Sequence, residues 1–557
     1  MNKKVCSFPI LFALLALLIG TCAVVFPASA QAAPTSTGSI TVSGTVASSY
    51  DAYQISLAPT SSTATATLRS PTDLAWVSDA VRDAALPVLH SAGMPNSQTT
   101  AQEAAEWLNT DSHLTSALSA QLARSLQSSG AESVALNAGT AAELSCGYWL
   151  IVAKDDAIAQ GEAGTAPIMA LVGGSAVTVK PKAATPKVAK HVLEDSTAAW
   201  QKAADATVAD DLYWRLSATV PAGLTAYDTY AVRFVDTMSA GLDPSKVAAS
   251  MRVYVAAGAD GGFDAVSAGR DGRAGTEPAK GWTDITAQCA TKVAADGKTF
   301  TVRTGDLIAA LGGTEAFTAG ARVVAVYNAP LASGCNHGIA KGNPNEVYLR
   351  YPRSPLSDQS GDAGFTRTPS DDATAYTWDL ALTKRGSDGD KPLAGAVLSI
   401  ADDRGRTLAA DGTWDAEGKA TVTTGEDGRV TVSGVDSGKL EVRELKAPKG
   451  YTAFEGTRSV TVKAEGLDVD QVAAAKPKLT ITAESPLRAD SADGSTGSLE
   501  ASLINTPTGT PPSITTGGFM PSTGDMAMYA AAAAAVTGAA LIVVALLVKR
   551  GGGSHKE

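Results

Sequence analysis

Histidine, cysteine and cationic charge are all scarce in this chain. Five histidines occur in 557 residues. His90, His113, His191 and His337 stand far apart, with no HExxH pair and no other metal-ligand spacing. No GxSxG nucleophile elbow is present. Gly297-Lys298-Thr299 ends like a phosphate-binding loop, but Lys292 stands where its first glycine belongs. Lys plus Arg number 45 against 56 Asp plus Glu, a net charge of -11 with no basic stripe, which argues against a nucleic-acid partner. The acidic, glycine-rich run from Asp260 to Asp271 lacks the ligand order of an EF-hand and reads as a solvated loop. No metal and no cofactor are expected, and no enzyme acting on an outside substrate.

Hydrophobic residues make up 45% of the chain, enough for sizeable cores. Both ends are specialised. Lys3 and Lys4 precede an apolar run from Ile10 to Val25, followed by small residues at Ala28-Ser29-Ala30 and Ala30-Gln31-Ala32. This is the pattern of a secretory signal peptide, residues 1–32. Cys22 would suit a lipoprotein, but Thr21 before it is larger than that signal prefers. At the other end, Met520-Pro521-Ser522-Thr523-Gly524 precedes an apolar run from Met526 to Val548, then Lys549 and Arg550. As a helix that run would be roughly 34 Å long, enough to span a bilayer, with the cations on the cytoplasmic side. The pentapeptide resembles the LPXTG sorting signal of Gram-positive surface proteins, with Met520 in the Leu position. The resemblance implies cleavage by a sortase between Thr523 and Gly524 and transfer of the Thr523 carboxyl to an amine.

About 490 residues remain between the processing points, from Ala33 to Thr523, enough for three or four domains. Three cysteines remain with them: Cys146, Cys289 and Cys335. Sequence alone does not fix their pairing. Outside the cell, Cys289 and Cys335 are expected to form a disulfide within one domain, closing a loop of about 46 residues. Cys146 is then a buried thiol.

Three blocks follow one another. The first, 38–181, opens with strand-like stretches at Ser39–Val42 and Tyr53–Leu57. A helical insertion follows, in which Leu74, Val77, Val81 and Ala85, then Leu114, Leu118, Leu122 and Leu126, keep helical spacing. The leucine row is expected to pack on the domain's own sheet. Strands at Gly147–Val152 and Ala176–Val179 close the block. The second block, 186–370, alternates at Leu212–Val220 and Tyr230–Val235, with a glycine-rich loop from Gly258 to Gly275. The third, 375–508, has strand-like runs at Trp378–Lys384, Arg429–Val432 and Leu440–Glu444. Short strands with turn signals predict a mostly β chain of tandem immunoglobulin-like β-sandwiches, the first with a helical insertion. Residues 509–519, rich in Pro, Thr and Gly, form a linker to the sorting signal at 520–557.

The third block resembles the collagen-adhesin B-type domain of Gram-positive pilins and adhesins. Leu380-Ala381-Leu382-Thr383-Lys384 with Pro392-Leu393-Ala394-Gly395-Ala396 looks like its first strands. Glu444-Leu445-Lys446-Ala447-Pro448-Lys449-Gly450-Tyr451 looks like its E-box, usually ETxAPxGY, with Leu445 in place of Thr. Leu503-Ile504-Asn505-Thr506 looks like its last strand. The resemblance implies an intramolecular isopeptide bond from Lys384 to Asn505, with Glu444 as the catalytic acid. The chemistry is coherent: burial lowers the pKa of the lysine and makes it a neutral nucleophile, and it raises that of the acid. Fixed proximity replaces an external enzyme.

The second block resembles the middle domain of fimbrial shaft subunits. Pro186-Lys187-Val188-Ala189-Lys190-His191-Val192 looks like its opening strand and puts Lys190 in the bonding place. Asn343-Pro344-Asn345-Glu346-Val347-Tyr348-Leu349 looks like its closing strand and puts Asn345 there, with Asn343 as competitor. Phe234-Val235-Asp236-Thr237 resembles the segment carrying the acid, which assigns Asp236. Between the first two blocks, Val177-Thr178-Val179-Lys180-Pro181-Lys182 resembles the pilin motif, with Lys182 as acceptor amine and Lys180 and Lys187 as near competitors.

Together these resemblances imply the shaft subunit of a sortase-assembled fimbria, joined from Thr523 of one copy to Lys182 of the next. Its implied partners are other copies of itself, a pilin-specific sortase, minor pilins and peptidoglycan. The alternative reading is a wall-anchored monomeric adhesin or a minor tip or basal pilin, which would keep the sorting signal but not use Lys182.

Overall fold

The computed structural model describes residues 37–58, 73–110, 112–173, 175–181, 185–258, 281–317 and 319–509. The expected signal peptide, the apolar run 526–548, Thr523, Gly524, Lys182 and the acidic stretch 260–271 lie outside the described residues.

The chain is mostly β. In the N-terminal domain, Thr37–Val42 sits between Ala141–Ser145 and, in parallel, Val177–Val179. A second sheet runs in the order Ser133–Asn137, Ser49–Gln54, Gly147–Ala153, Ile168–Val172. Ile40, Val42, Tyr50, Trp149 and Ile151 fill the space between them. The insertion holds three helices, α1 (Asp79–Ser91), α2 (Ala101–Leu108) and α3 (Ser116–Ser129). Ser78, Thr100 and Thr115 cap their N-termini through side-chain oxygens, each cap typically worth about 1 kcal/mol. Leu118, Leu122 and Leu126 of α3 pack with Val81 and Leu89 of α1 onto the outer face of the second sheet, at Tyr53, Ile55, Leu150 and Val152. Leu118, Leu122 and Leu126 are therefore core, as expected, whereas Leu114 is exposed. Leu114 and the first members of the other row, Leu74 and Val77, precede their helices, because the caps set the starts later.

The middle domain stacks two larger sheets. One has the order Ala199–Gln201, Lys187–Glu194, Tyr213–Val220, Ala321–Asn328, Arg252–Ala257, Thr283–Asp284. The other centres on Asn343–Pro352, flanked by Arg233–Met238 and Asp371–Tyr376. Every residue of Ala321–Asn328 is buried. Alternation is lost there because both faces are covered: the inner by the main core, the outer by Leu193, Tyr254 and Trp282. The strand Asp371–Tyr376 pairs with Asn343–Val347 and with Ala203–Asp205, so it completes this domain. The expected boundary at 370–375 falls inside it.

The C-terminal domain is again two sheets. In one, the opening strand Trp378–Gly386 lies parallel to the closing strand Ser498–Pro507 and antiparallel to Arg429–Val435. The facing sheet contains Val397–Ala401, Gly438–Lys446 and Thr457–Glu465. Polar clasps join the three domains. Ser354 and Ser357 donate to Asp155 at 2.6 and 2.7 Å, between the first two. Arg406 grips Asp210 through two parallel bonds of 2.6 and 2.7 Å, between the last two.

The expected Cys289–Cys335 disulfide is not formed; both residues are thiols. Strand length explains why. Cys289 precedes Ala290, which pairs with Arg303, which in turn pairs with Arg233 at the start of Arg233–Met238. Cys335 packs beside Gly241, past the other end of that strand. Five strand residues span roughly 17 Å, whereas a disulfide needs Cα atoms within about 7 Å. Burial pushes both thiols up to about 11. Alkylation in denaturant without reductant should therefore label Cys289 and Cys335 alike, while the native protein should react slowly; peptide mapping of the adducts checks this.

Candidate cross-linking sites: two buried lysine, acid and asparagine clusters

The C-terminal cluster is built by register. Lys384 stands opposite Leu503 in the parallel pair, and Asn505 opposite Gly386, so the two side chains share one face, two residues apart. Glu444 reaches them from the facing sheet, where it pairs with Leu398. All three are buried, with Lys384 0% exposed. Lys384 Nζ donates to Asn505 Oδ1 and lies 3.2 Å from Glu444 Oε1. Asn505 Nδ2 donates to the same Glu444 oxygen at 2.9 Å, and the Phe454 amide holds the other at 3.1 Å. One carboxylate thus touches both the amine and the nitrogen that would leave. Burial lowers the Lys384 pKa to about 8, although Glu444 pulls it back upward.

The middle-domain cluster is divided between sheets. Lys190 and Tyr327 come from one, and Asp236 and Asn345 from the other. Asp236 pairs with Val347 and Met238 with Asn345, so Asp236 and Asn345 are diagonal neighbours on the inner face. Lys190, Asp236, Asn345 and Tyr327 are all 0% exposed. Lys190 Nζ donates to Asp236 Oδ2 and, at 2.9 Å, to the Tyr327 hydroxyl. It also lies 5.5 and 5.4 Å from the ring centres of Trp214 and Tyr327. Desolvation lowers the Lys190 pKa to about 8 against the pull of Asp236. The same desolvation raises that of Asp236, opposed by Lys190.

Asn343, the competitor, is equally buried but engaged elsewhere. Its Nδ2 donates to the Asn336 and Ala375 carbonyls, and its Oδ1 accepts from the Asn336 amide. Tyr327 went unread in the sequence, because it sits in an unbroken apolar run. The N-terminal domain offers no such cluster among its described residues. Lys180 is exposed, and Lys154 pairs with Asp51 at 3.2 Å with a third of its side chain in solvent.

Residues 379–476 match the family model described as SpaA, prealbumin-like fold domain. The matched span includes Lys384 and Glu444. The trypsin-resistant surface T6 protein of Streptococcus pyogenes serotype M6 is 30% identical over 129 residues, 22% of this chain and 22% of that protein. The solved structure of the T6 backbone pilin of serotype M6 Streptococcus pyogenes superposes over 86% of this chain and 99% of its own, with a TM-score of 0.46 at 16% identity. The full-length major pilin SpaD from Corynebacterium diphtheriae covers 85% of this chain and 98% of its own, with a TM-score of 0.41 at 14% identity.

The lowered amine pKa has a measurable consequence where no bond can form. In an Asn505→Ala variant, Lys384 remains a buried free amine. Between pH 8 and its ordinary value of 10.5, the unfolded chain holds a proton on this lysine that the folded chain has released. Stability therefore rises with pH across that window. The urea midpoint of Asn505→Ala should climb from pH 8 to 10, and a further Lys384→Met substitution should remove that increment.

Proposed function

We propose that this chain is a structural subunit of a covalently polymerised cell-surface fimbria, stabilised by internal Lys190–Asn345 and Lys384–Asn505 isopeptide bonds. The observation that carries the reading is the C-terminal cluster, in which the amine of the first strand, the carboxamide of the last and the acid of the facing sheet meet in a buried core. In the reaction, Lys384 Nζ attacks Asn505 Cγ, Glu444 moves a proton from the attacking to the departing nitrogen, the Cγ–Nδ2 bond breaks and ammonia leaves. The middle domain supports the same chemistry with Lys190, Asp236 and Asn345. A relative named for trypsin resistance at a surface agrees with a chain whose folds are locked covalently.

The polymer itself rests on two residues, Thr523 near one end of the chain and Lys182 in its interior. A pilin-type sortase would cut after Thr523 and pass its carboxyl to Lys182 of the next copy. Lys182 follows Val177–Val179, the last strand of the N-terminal domain, and precedes Lys187–Glu194, the first of the middle domain. A junction between folded domains is where an acceptor amine can reach an enzyme. The chain itself acts on no outside substrate; the internal bonds are its own single-turnover chemistry.

Two measurements test this. The intact mass of the chain from Ala33 to Thr523 should fall short of its sequence mass by about 34 Da, about 17 Da for each ammonia released. Lys384→Ala and Lys190→Ala should each restore half of that, and an unshifted wild-type mass would sink the internal bonds. In the native bacterium, Lys182→Ala should collapse the high-mass ladder of wall extracts to monomer. A surviving ladder would mean that another lysine is the acceptor; a ladder absent from the wild type would favour the monomeric adhesin.

A further inference from the structure

The two clusters solve one geometric problem differently. In the C-terminal domain Glu444 bridges amine and carboxamide directly, through one oxygen at 3.2 and 2.9 Å. In the middle domain the acid is Asp236, shorter by one methylene. Its Oδ2 accepts from Lys190 and Tyr327, and no bond runs from it to Asn345. The carboxamide instead donates from Nδ2 to the Tyr327 hydroxyl at 2.8 Å. That hydroxyl donates to Asp236 Oδ2 at 2.9 Å and accepts from Lys190 Nζ at 2.9 Å. Asp236 Oδ1 and Asn345 Oδ1 have no partner among the described residues, so the phenol is the one group seen to join acid and amide.

We propose that Tyr327 is a catalytic residue of the middle-domain cross-link, carrying a proton from Asp236 to the departing nitrogen of Asn345. The inference rests on the cross-linking reading above. The phenol is rigidly placed for the task. Its ring meets Phe300 edge-on at 4.9 Å, and Phe300 pairs with Asp236 across neighbouring strands. Burial and the adjacent Asp236 carboxylate push the phenol pKa well up, so it passes protons by donating and accepting together and never stands as a phenolate.

The steps balance. Lys190 hands one proton to Asp236, and its neutral Nζ attacks Asn345 Cγ. Asp236 gives that proton to the Tyr327 oxygen as the phenol gives its own to Nδ2. The Cγ–Nδ2 bond breaks, ammonia leaves, and the surplus proton on Nζ returns to Asp236. One proton stays on the new amide, three depart in ammonia and one remains on the acid.

The test is a pair of variants of the Ala33–Thr523 chain, read by intact mass and by mapping of cross-linked peptides. Tyr327→Phe keeps the ring and removes the relay. Its mass deficit should drop from about 34 to about 17 Da, with Lys384–Asn505 intact and Lys190–Asn345 absent. Adding Asp236→Glu restores the missing methylene, lets the acid reach the carboxamide as Glu444 does, and should return the deficit to about 34 Da. A full deficit in Tyr327→Phe would overturn the proposal. So would a double variant that stays at the single-bond mass, because the phenol would then serve only packing. A wild type lacking the Lys190–Asn345 peptide would overturn the cross-linking reading itself, whatever Tyr327 does.

Discussion

A primary amine enclosed in a hydrocarbon core is the constraint on which both C-terminal sandwiches depend. Lys190 and Lys384 are fully buried, and an isolated buried ion costs several kcal/mol. Each amine is therefore met by a carboxyl group and a carboxamide. Removing one member of such a buried pair typically costs about 3–5 kcal/mol, so each cluster ties the strand registers around it to one arrangement. The parallel contact of Trp378–Gly386 with Ser498–Pro507 places Lys384 beside Asn505. A slip of one residue would turn Asn505 out of the core.

The two clusters share their residue types but not their construction. One acid comes from the facing sheet and is long enough to touch both amine and carboxamide. The other lies on the strand beside its asparagine and is a methylene too short. The aromatic side chains differ accordingly. Around Lys190 stand Trp214 and Tyr327, whose ring faces favour the charged amine. The backbone amide of Lys190 is held by Asp371 at 2.7 Å, on the strand that completes the domain.

Much of this was legible in the sequence, for physical reasons that differ by residue. Lys384, Glu444 and Asn505 lie in strands with short, regular spacing, so their positions carried over from the resemblance without adjustment. Asn345 was separable from Asn343 by its distance to Leu349, and the structure shows what Asn343 does instead: it holds a turn through backbone contacts at Asn336 and Ala375. Tyr327 was hidden because a strand buried on both faces has no alternation from which to single out a member. The thiols misled for another reason. Both lie in one domain, but loop length in sequence says nothing about opposite ends of a strand. The short strands Ser133–Asn137 and Ala141–Ser145 were unread because most of their residues face solvent.

The position of the N-terminal domain has a mechanical consequence. In a fibre joined from Thr523 to Lys182, tension enters each copy at the start of the middle domain and leaves after the closing strand of the last. The two sandwiches on that line are the two that hold a buried amine cluster. The domain carrying α1, α2 and α3 would lie off that line, held to the middle domain through Asp155 and through Arg124 of α3, which bonds Asp228 and the Pro355 carbonyl. Bearing no pull there, it would yield without lengthening the fibre at all.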